Sequence, residues 1–144
     1  MIALRLRFPP FVRPWNPSLD ESEKMNVGLL MAGLLGASAV AAGAFGAHAL
    51  EAMVTPERLA IWTTAANYHL VHSVVVLALA LQPHQALWRR TIQGFVLGIG
   101  LFSFSLYALV LTDLSMLAML TPFGGLLLMG SWLTLVFKAQ RLTL

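Results

Sequence analysis

The chain has 144 residues, of which 58% are hydrophobic and only 10% charged, with a mean hydropathy of +0.78. An ordinary soluble domain carries about a quarter charged residues, and one core of this size could not bury so many apolar side chains, so a soluble globular protein is excluded and lipid is the solvent. Nine scattered basic residues against six acidic ones give a formal charge of +3, which excludes a nucleic-acid surface, and the absence of cysteine excludes disulfides, thiolate nucleophiles and Cys-based metal sites.

Residues 1–24 form a Pro/Arg-rich N-terminal extension: Arg5, Arg7 and Arg13 stand among Pro9, Pro10, Pro14 and Pro17, followed by Asp20, Glu21 and Glu23. The prolines oppose a stable helix there. The segment reads as a cytoplasmic extension, or as an upstream start on a chain that otherwise begins at Met25. A mitochondrial transit peptide is the alternative, against which stands the amphipathic helicity such peptides need.

From Met25 the chain is expected to form a membrane domain, residues 25–144, of four spans at about 26–50, 60–81, 91–111 and 115–137. The first follows from the charge-free run between Lys24 and Glu51, which is long enough to cross a hydrocarbon core of about 30 Å. Ala47-His48-Ala49 also fits a signal-peptidase pattern, but the apolar stretch exceeds the roughly 7–15 residues of a signal core, so an uncleaved span is preferred. Thr55-Pro56-Glu57 offers the second span an N-cap, a first-turn proline and a first-turn acid, and Gln82-Pro83 ends it. The third follows Arg89 and Arg90, and the fourth precedes Lys138 and Arg141, with Trp132 expected as an interfacial anchor. The runs lack period-2 alternation and are about twice the length of a spanning strand, so they are helices rather than a barrel. The fold class is therefore all-α, a membrane-spanning up-down four-helix bundle.

Arg5, Arg7, Arg13, Lys24, Arg89, Arg90, Lys138 and Arg141 fall on one side of these spans and only Arg58 on the other. The positive-inside rule then places both termini in the cytoplasm, with a bacterial inner membrane preferred over a mitochondrial one. Small residues recur at close-packing intervals: Gly28, Ala32 and Gly36, then Ala39, Gly43 and Ala47 beside Gly46 in the first span, Gly94 and Gly98 in the third, and Gly124, Gly125 and Gly130 in the fourth. Gly36, Gly43, Gly46, Gly94, Gly98, Gly124 and Gly125 are expected to pack helices, chiefly within the bundle. An exposed glycine stripe would instead favour a homo-oligomer or a place beside other membrane-protein subunits.

Polar groups within the bilayer need partners, so they are where function would reside. The candidates are His48 at the outer end of the first span, Asn67, Tyr68, His69 and His72 in the second, Ser103, Ser105 and Tyr107 in the third, and Thr121 in the fourth. Helical spacing puts Tyr68, His69 and His72 in one sector. Ser103 and Tyr107, four residues apart, can offer hydroxyls to an imidazole on a neighbouring helix. In Thr121-Pro122-Phe123-Gly124-Gly125 the proline would kink an already formed helix or open a ligand-lining break.

Four motifs in order, GAFGAH at residues 43–48, W-T-x-A-x-x-Y-x-x-x-H from Trp62 to His72, F-S-x-S-L-Y from Phe102 to Tyr107 and T-P-x-G-G from Thr121 to Gly125, resemble the YgdD-like family of small multi-pass membrane proteins. That family is a domain of unknown function with eukaryotic mitochondrial relatives. The resemblance implies a multi-pass inner-membrane protein of about four helices and no established activity, substrate or cofactor. Phe104 and Ser131 stand where the family often has glycine.

No cofactor, metal or catalytic residue is assigned, and the chain is read as a non-enzyme whose first partner is the lipid bilayer. Its expected role is that of a scaffold or accessory subunit of a larger membrane complex. The rival readings are haem-linked redox chemistry on His69 or His72, and proton or small-solute transport along Tyr68, Ser103 and Tyr107. A hydrolase would need paired intramembrane carboxylates, a cysteine or a nucleotide-binding loop, none of which the sequence offers; Glu51 and Asp113 share the outer side with His48, where they read as solvated loop charges.

Overall fold

The computed structural model describes residues 25–83 and 85–139; the Pro/Arg-rich extension lies outside them. Four helical spans are long and apolar enough to cross a membrane among the described residues, at Val27–His48, Pro56–Ala80, Ala86–Thr112 and Ser115–Ala139. The first is α1, Val27–His48, and the second α2, Pro56–Ala80. The third is built from α3, Gln85–Ile99, a wider π-helical stretch Gly100–Phe104, and α4, Ser105–Thr112. The fourth opens with a 3₁₀ turn, Ser115–Met119, and continues as α5, Thr121–Ala139.

Caps set the ends. The Asn26 side chain accepts the Leu29 N–H at 3.0 Å and donates to the Ala80 carbonyl at 3.1 Å, so it starts α1 and ties that start to the end of α2. Thr55 caps α2, with Pro56 in the first turn, and the helix begins four residues before the expected span because the cap governs the start rather than the apolar run. Asp113 closes α4 in the left-handed region at φ 62, a conformation that aspartate tolerates through its short polar side chain. Arg58 at the start of α2 pairs with Asp113. Lys138 near the end of α5 reaches the Leu87 carbonyl and, at 2.7 Å, the Thr91 hydroxyl near the start of α3. These three ties show the up-down alternation and bring Asn26 and Lys138 to one side of the bundle.

α1 packs along α2, α2 meets the whole third span, and α5 packs on α3 and on the π-helical stretch. α1 and α5 have no extensive mutual packing, so the helices do not close into a ring. α1 and the fourth span accordingly bury a smaller share of their length than the second and third.

The interior has two apolar clusters. One, toward the side that holds Asn26 and Lys138, contains Leu35, Val76, Phe95, Ile99 and Leu128; the other, toward Asp113, contains Leu50, Trp62, Ala65, Tyr107 and Val110. Between their levels lie the buried polar side chains His69, His72, Ser73 and Ser103. Apolar burial adds little free energy against a lipid solvent, so close contact and these polar ties must hold the helices together.

Six glycines sit where a side chain would intrude or touch; a Cβ on Gly28 would lie 3.1 Å from that of Ala80. A Cβ on Gly46 would lie 2.7 Å from the Trp62 ring, one on Gly98 2.6 Å from Leu128, and one on Gly124 2.7 Å from the backbone of Leu101 and Phe102. Gly94 faces the Ser131 hydroxyl, and Gly125 lies in ordinary contact with the Phe102 ring, 3.8 Å away. Gly36 and Gly43 depart from the expected packing: a Cβ on either meets no described atom within 4 Å. The reason is helical phase. α2 covers the α1 face carrying Ala32, Leu35, Ala39 and Gly46, and leaves Gly33, Ala37, Gly43, Ala44 and Ala47 outward.

Pro122 is neither a kink nor a break in a continuous helix. It stands in the first turn of α5, where a missing backbone N–H removes no intrahelical bond. The irregularity of the membrane domain lies instead in the third span, at Gly100–Phe104. There the turn widens and Ser105 Oγ donates toward the carbonyls of Leu101 and Phe102, at 2.6 and 3.0 Å.

Candidate functional site

Tyr68 is the midpoint of α2, twelve residues from Pro56 and from Ala80, about 18 Å from either end. His69 and His72 therefore lie near mid-membrane. Tyr68 shares the surroundings of His72, on whose ring it stacks at 5.6 Å, but not those of His69, so the expected common sector is divided. His69 is fully buried and faces α1 and α4, His72 is buried toward α5, and Tyr68 is 45% exposed.

The hydrogen bonds assign each ring a neutral tautomer. The indole N–H of Trp132 can only donate, and it points at His72 Nε2 from 3.2 Å. Nε2 is therefore the acceptor, and Nδ1 carries the proton it donates to the Tyr68 carbonyl at 2.6 Å. For His69 the assignment is the reverse. Ser38 Oγ donates to the Leu34 carbonyl at 2.8 Å, so it meets His69 Nε2, 3.4 Å away, as an acceptor. Nε2 then carries the proton, and in the neutral ring Nδ1 accepts from the Tyr107 hydroxyl at 3.4 Å. Aromatic faces close around both rings: Phe104 lies 5.1 Å from His69, and Tyr68 and Phe95 lie 5.6 and 5.8 Å from His72.

His69 thus joins α1, α2 and α4, and His72 joins α2 to α5. Ser105 and Thr121 form a separate tie, hydroxyl to hydroxyl at 3.0 Å, between α4 and α5. Ser103 is fully buried, and its Oγ has no hydrogen-bond partner among the described residues, so it does not satisfy an imidazole as its spacing from Tyr107 suggested. His48 is exposed at the end of α1, outside this layer.

Asn67 is exposed on the side of α2 that faces α5, where a groove of about 780 Å³ runs between the two helices. Tyr68, Val71, Phe102, Met129 and Trp132 are among its walls. The Tyr68 and Phe102 rings lie 4.6 Å apart. Neither the Asn67 carboxamide nor the Tyr68 hydroxyl has a hydrogen-bond partner within the described chain.

Two members of the layer escaped sequence reasoning. Trp132, expected as an interfacial anchor, stands seven residues before the end of α5 and turns its N–H inward to His72. The number of residues to the helix end carried that signal, at about 10 Å of depth. Ser38 is the only hydroxyl in α1 and sits at its middle. The π-helical stretch has no comparable mark in the sequence. Among the described residues no three His, Asp or Glu side chains converge as a metal site would require.

The geometry contains hydrogen-bonded imidazoles and a largely apolar groove with Asn67 and Tyr68 in its wall, and the comparisons with known proteins agree in assigning no chemistry. A UPF0382 membrane protein of Bacillus subtilis, YwdK, is 35% identical over 121 residues, covering 81% of this chain and 98% of its own. One from Staphylococcus epidermidis is 37% identical over 119 residues, with 81% and 98% covered. A fission yeast relative from Schizosaccharomyces pombe, C1782.12c, is 35% identical over 112 residues, covering 74% of this chain and 95% of its own. No solved structure matches the chain. A family model described as a protein of unknown function, DUF423, matches residues 42–125, and with these relatives it shows that the chain belongs to the DUF423 family of small multi-pass membrane proteins.

Proposed function

We propose that this protein is a non-catalytic integral membrane protein, a structural or accessory subunit whose intramembrane polar groups tie its own helices together. The carrying observation is that both nitrogens of His69 and both of His72 face neutral partners. A proton relay needs a ring that can take a proton from one side and release it on the other, and protonation of His72 would set two N–H donors against each other at Trp132. Axial haem ligation needs a free ring nitrogen, which neither histidine offers without losing a tie between helices.

The subunit role draws support from α1. Its outward face presents Gly33, Ala37, Gly43, Ala44 and Ala47 to the bilayer, and small residues on a lipid-facing helix allow another transmembrane helix to approach closely. The charge count of eight basic residues against Arg58 alone supports an inner-membrane orientation with both termini cytoplasmic.

The experiment is purification from the native membrane in mild detergent, read by co-purifying membrane proteins and by a visible spectrum. A stoichiometric partner, lost on Ala37→Leu and Ala44→Leu with the fold retained, is the expected outcome. A solitary protein overturns the subunit role, and a haem absorbance band lost on His72→Leu overturns the non-catalytic reading.

A further inference from the structure

We infer that the groove between α2 and α5 is a binding site for an uncharged isoprenoid quinone taken from the bilayer. This goes beyond the subunit role and stands or falls separately from it. The starting point is an imbalance at mid-membrane. Asn67 and Tyr68 sit at the centre of α2, and neither polar side chain finds a partner within the described chain. In hydrocarbon an unpaired carboxamide or phenol is unfavourable, and every other polar side chain named in the histidine layer except Ser103 is paired.

The groove has the size of a small-molecule site: about 780 Å³ against roughly 300–1,000 Å³ for such pockets. Its chemistry narrows the ligand. None of its lining residues carries a formal charge, which argues against a phospholipid headgroup, whose place is at the interface. An acyl chain would fill the apolar part and leave Asn67 and Tyr68 unsatisfied. What fits is a flat, neutral head with hydrogen-bond acceptors at both ends, set among the rings of Tyr68, Phe102 and Trp132 and followed by an apolar tail along Val71 and Met129. The Asn67 amide N–H and the Tyr68 O–H can each donate to a quinone carbonyl. His72 takes no direct part, because its Nε2 already accepts from Trp132; it holds that ring in the wall.

The test is a titration of the full-length protein in mild detergent with decylubiquinone, read by tryptophan fluorescence and by the thermal midpoint. The expected result is saturable quenching with a raised midpoint. Asn67→Leu and Tyr68→Phe should each weaken binding about ten-fold, and His48→Leu should leave it unchanged. Both groove substitutions remove groups that have no partner in the chain, so the ligand-free midpoint should hold or rise, and a lost fold will not mimic lost binding. Quenching that rises linearly without saturation and is equal in all variants overturns the site. Equally strong saturable binding of decane in place of the quinone overturns it in favour of an acyl-chain groove. A change of oligomeric state in Asn67→Leu without any change in quinone affinity overturns it in favour of contact with a second copy.

Discussion

Replacing Trp132 by phenylalanine removes one hydrogen-bond donor and leaves His72 Nε2, on a side chain only 6% exposed, with nothing to accept from. An unsatisfied buried acceptor costs about 1–3 kcal/mol, and interhelical hydrogen bonds in membranes average about 0.6 with a maximum near 1.7 kcal/mol. The indole is itself 44% exposed, so lipid replaces part of the lost ring contact and the cavity contribution is small. Trp132→Phe should therefore destabilise by about 1–1.5 kcal/mol. His72→Leu removes the acceptor and should cost a similar amount. In the double variant no orphaned acceptor remains, so the two losses should fall short of additivity by about 1 kcal/mol. The assay is a double-mutant cycle by equilibrium SDS titration from mixed micelles, followed by circular dichroism. A coupling below about 0.5 kcal/mol, within ordinary additivity, would refute the His72–Trp132 bond and the tautomer assigned from it.

Gly124→Ala should lower the thermal midpoint in detergent sharply, by the equivalent of about 2–3 kcal/mol, because the new Cβ meets the backbone of Leu101 and Phe102; an unchanged midpoint would contradict the close α5 approach. Gly43→Ala faces open space and should be neutral or stabilising by up to about 1 kcal/mol through helix propensity, and a loss of stability there would show that the face is packed. Tyr107→Phe should cost about 0.5–1.5 kcal/mol by depriving His69 Nδ1 of its donor, measured by the same titration; no cost would mean that the 3.4 Å contact carries no bond. The chain contains no cysteine, so single-cysteine variants report topology directly: Glu51→Cys should react with a membrane-impermeant maleimide on intact cells and Gln82→Cys should not, whereas the reverse pattern would invert the orientation.

The spans were legible because hydrocarbon imposes one strong rule: a backbone that cannot reach water must satisfy itself along a helix, and charge-free runs of the right length mark where it does. The up-down order followed from short connections. Local caps were equally readable, as Thr55-Pro56 shows, since their partners lie within a few residues. Lateral relations were not. Gly36 and Gly46 are both expected to pack helices, yet Gly46 receives Trp62 and Gly36 receives nothing described, because the rotation of α1 about its axis is set by which face α2 covers. Likewise Trp132 reads as an anchor from its nearness to Lys138, and only the placement of α5 beside α2 turns its N–H onto His72. The sequence by itself determined the solvent, the number of helices and their alternation, all of which follow from composition along one chain. The tertiary structure decided which polar atoms meet and which, as at Asn67 and Tyr68, are left without a partner in the described chain, because that depends on helix rotation and offset, to which hydropathy is blind.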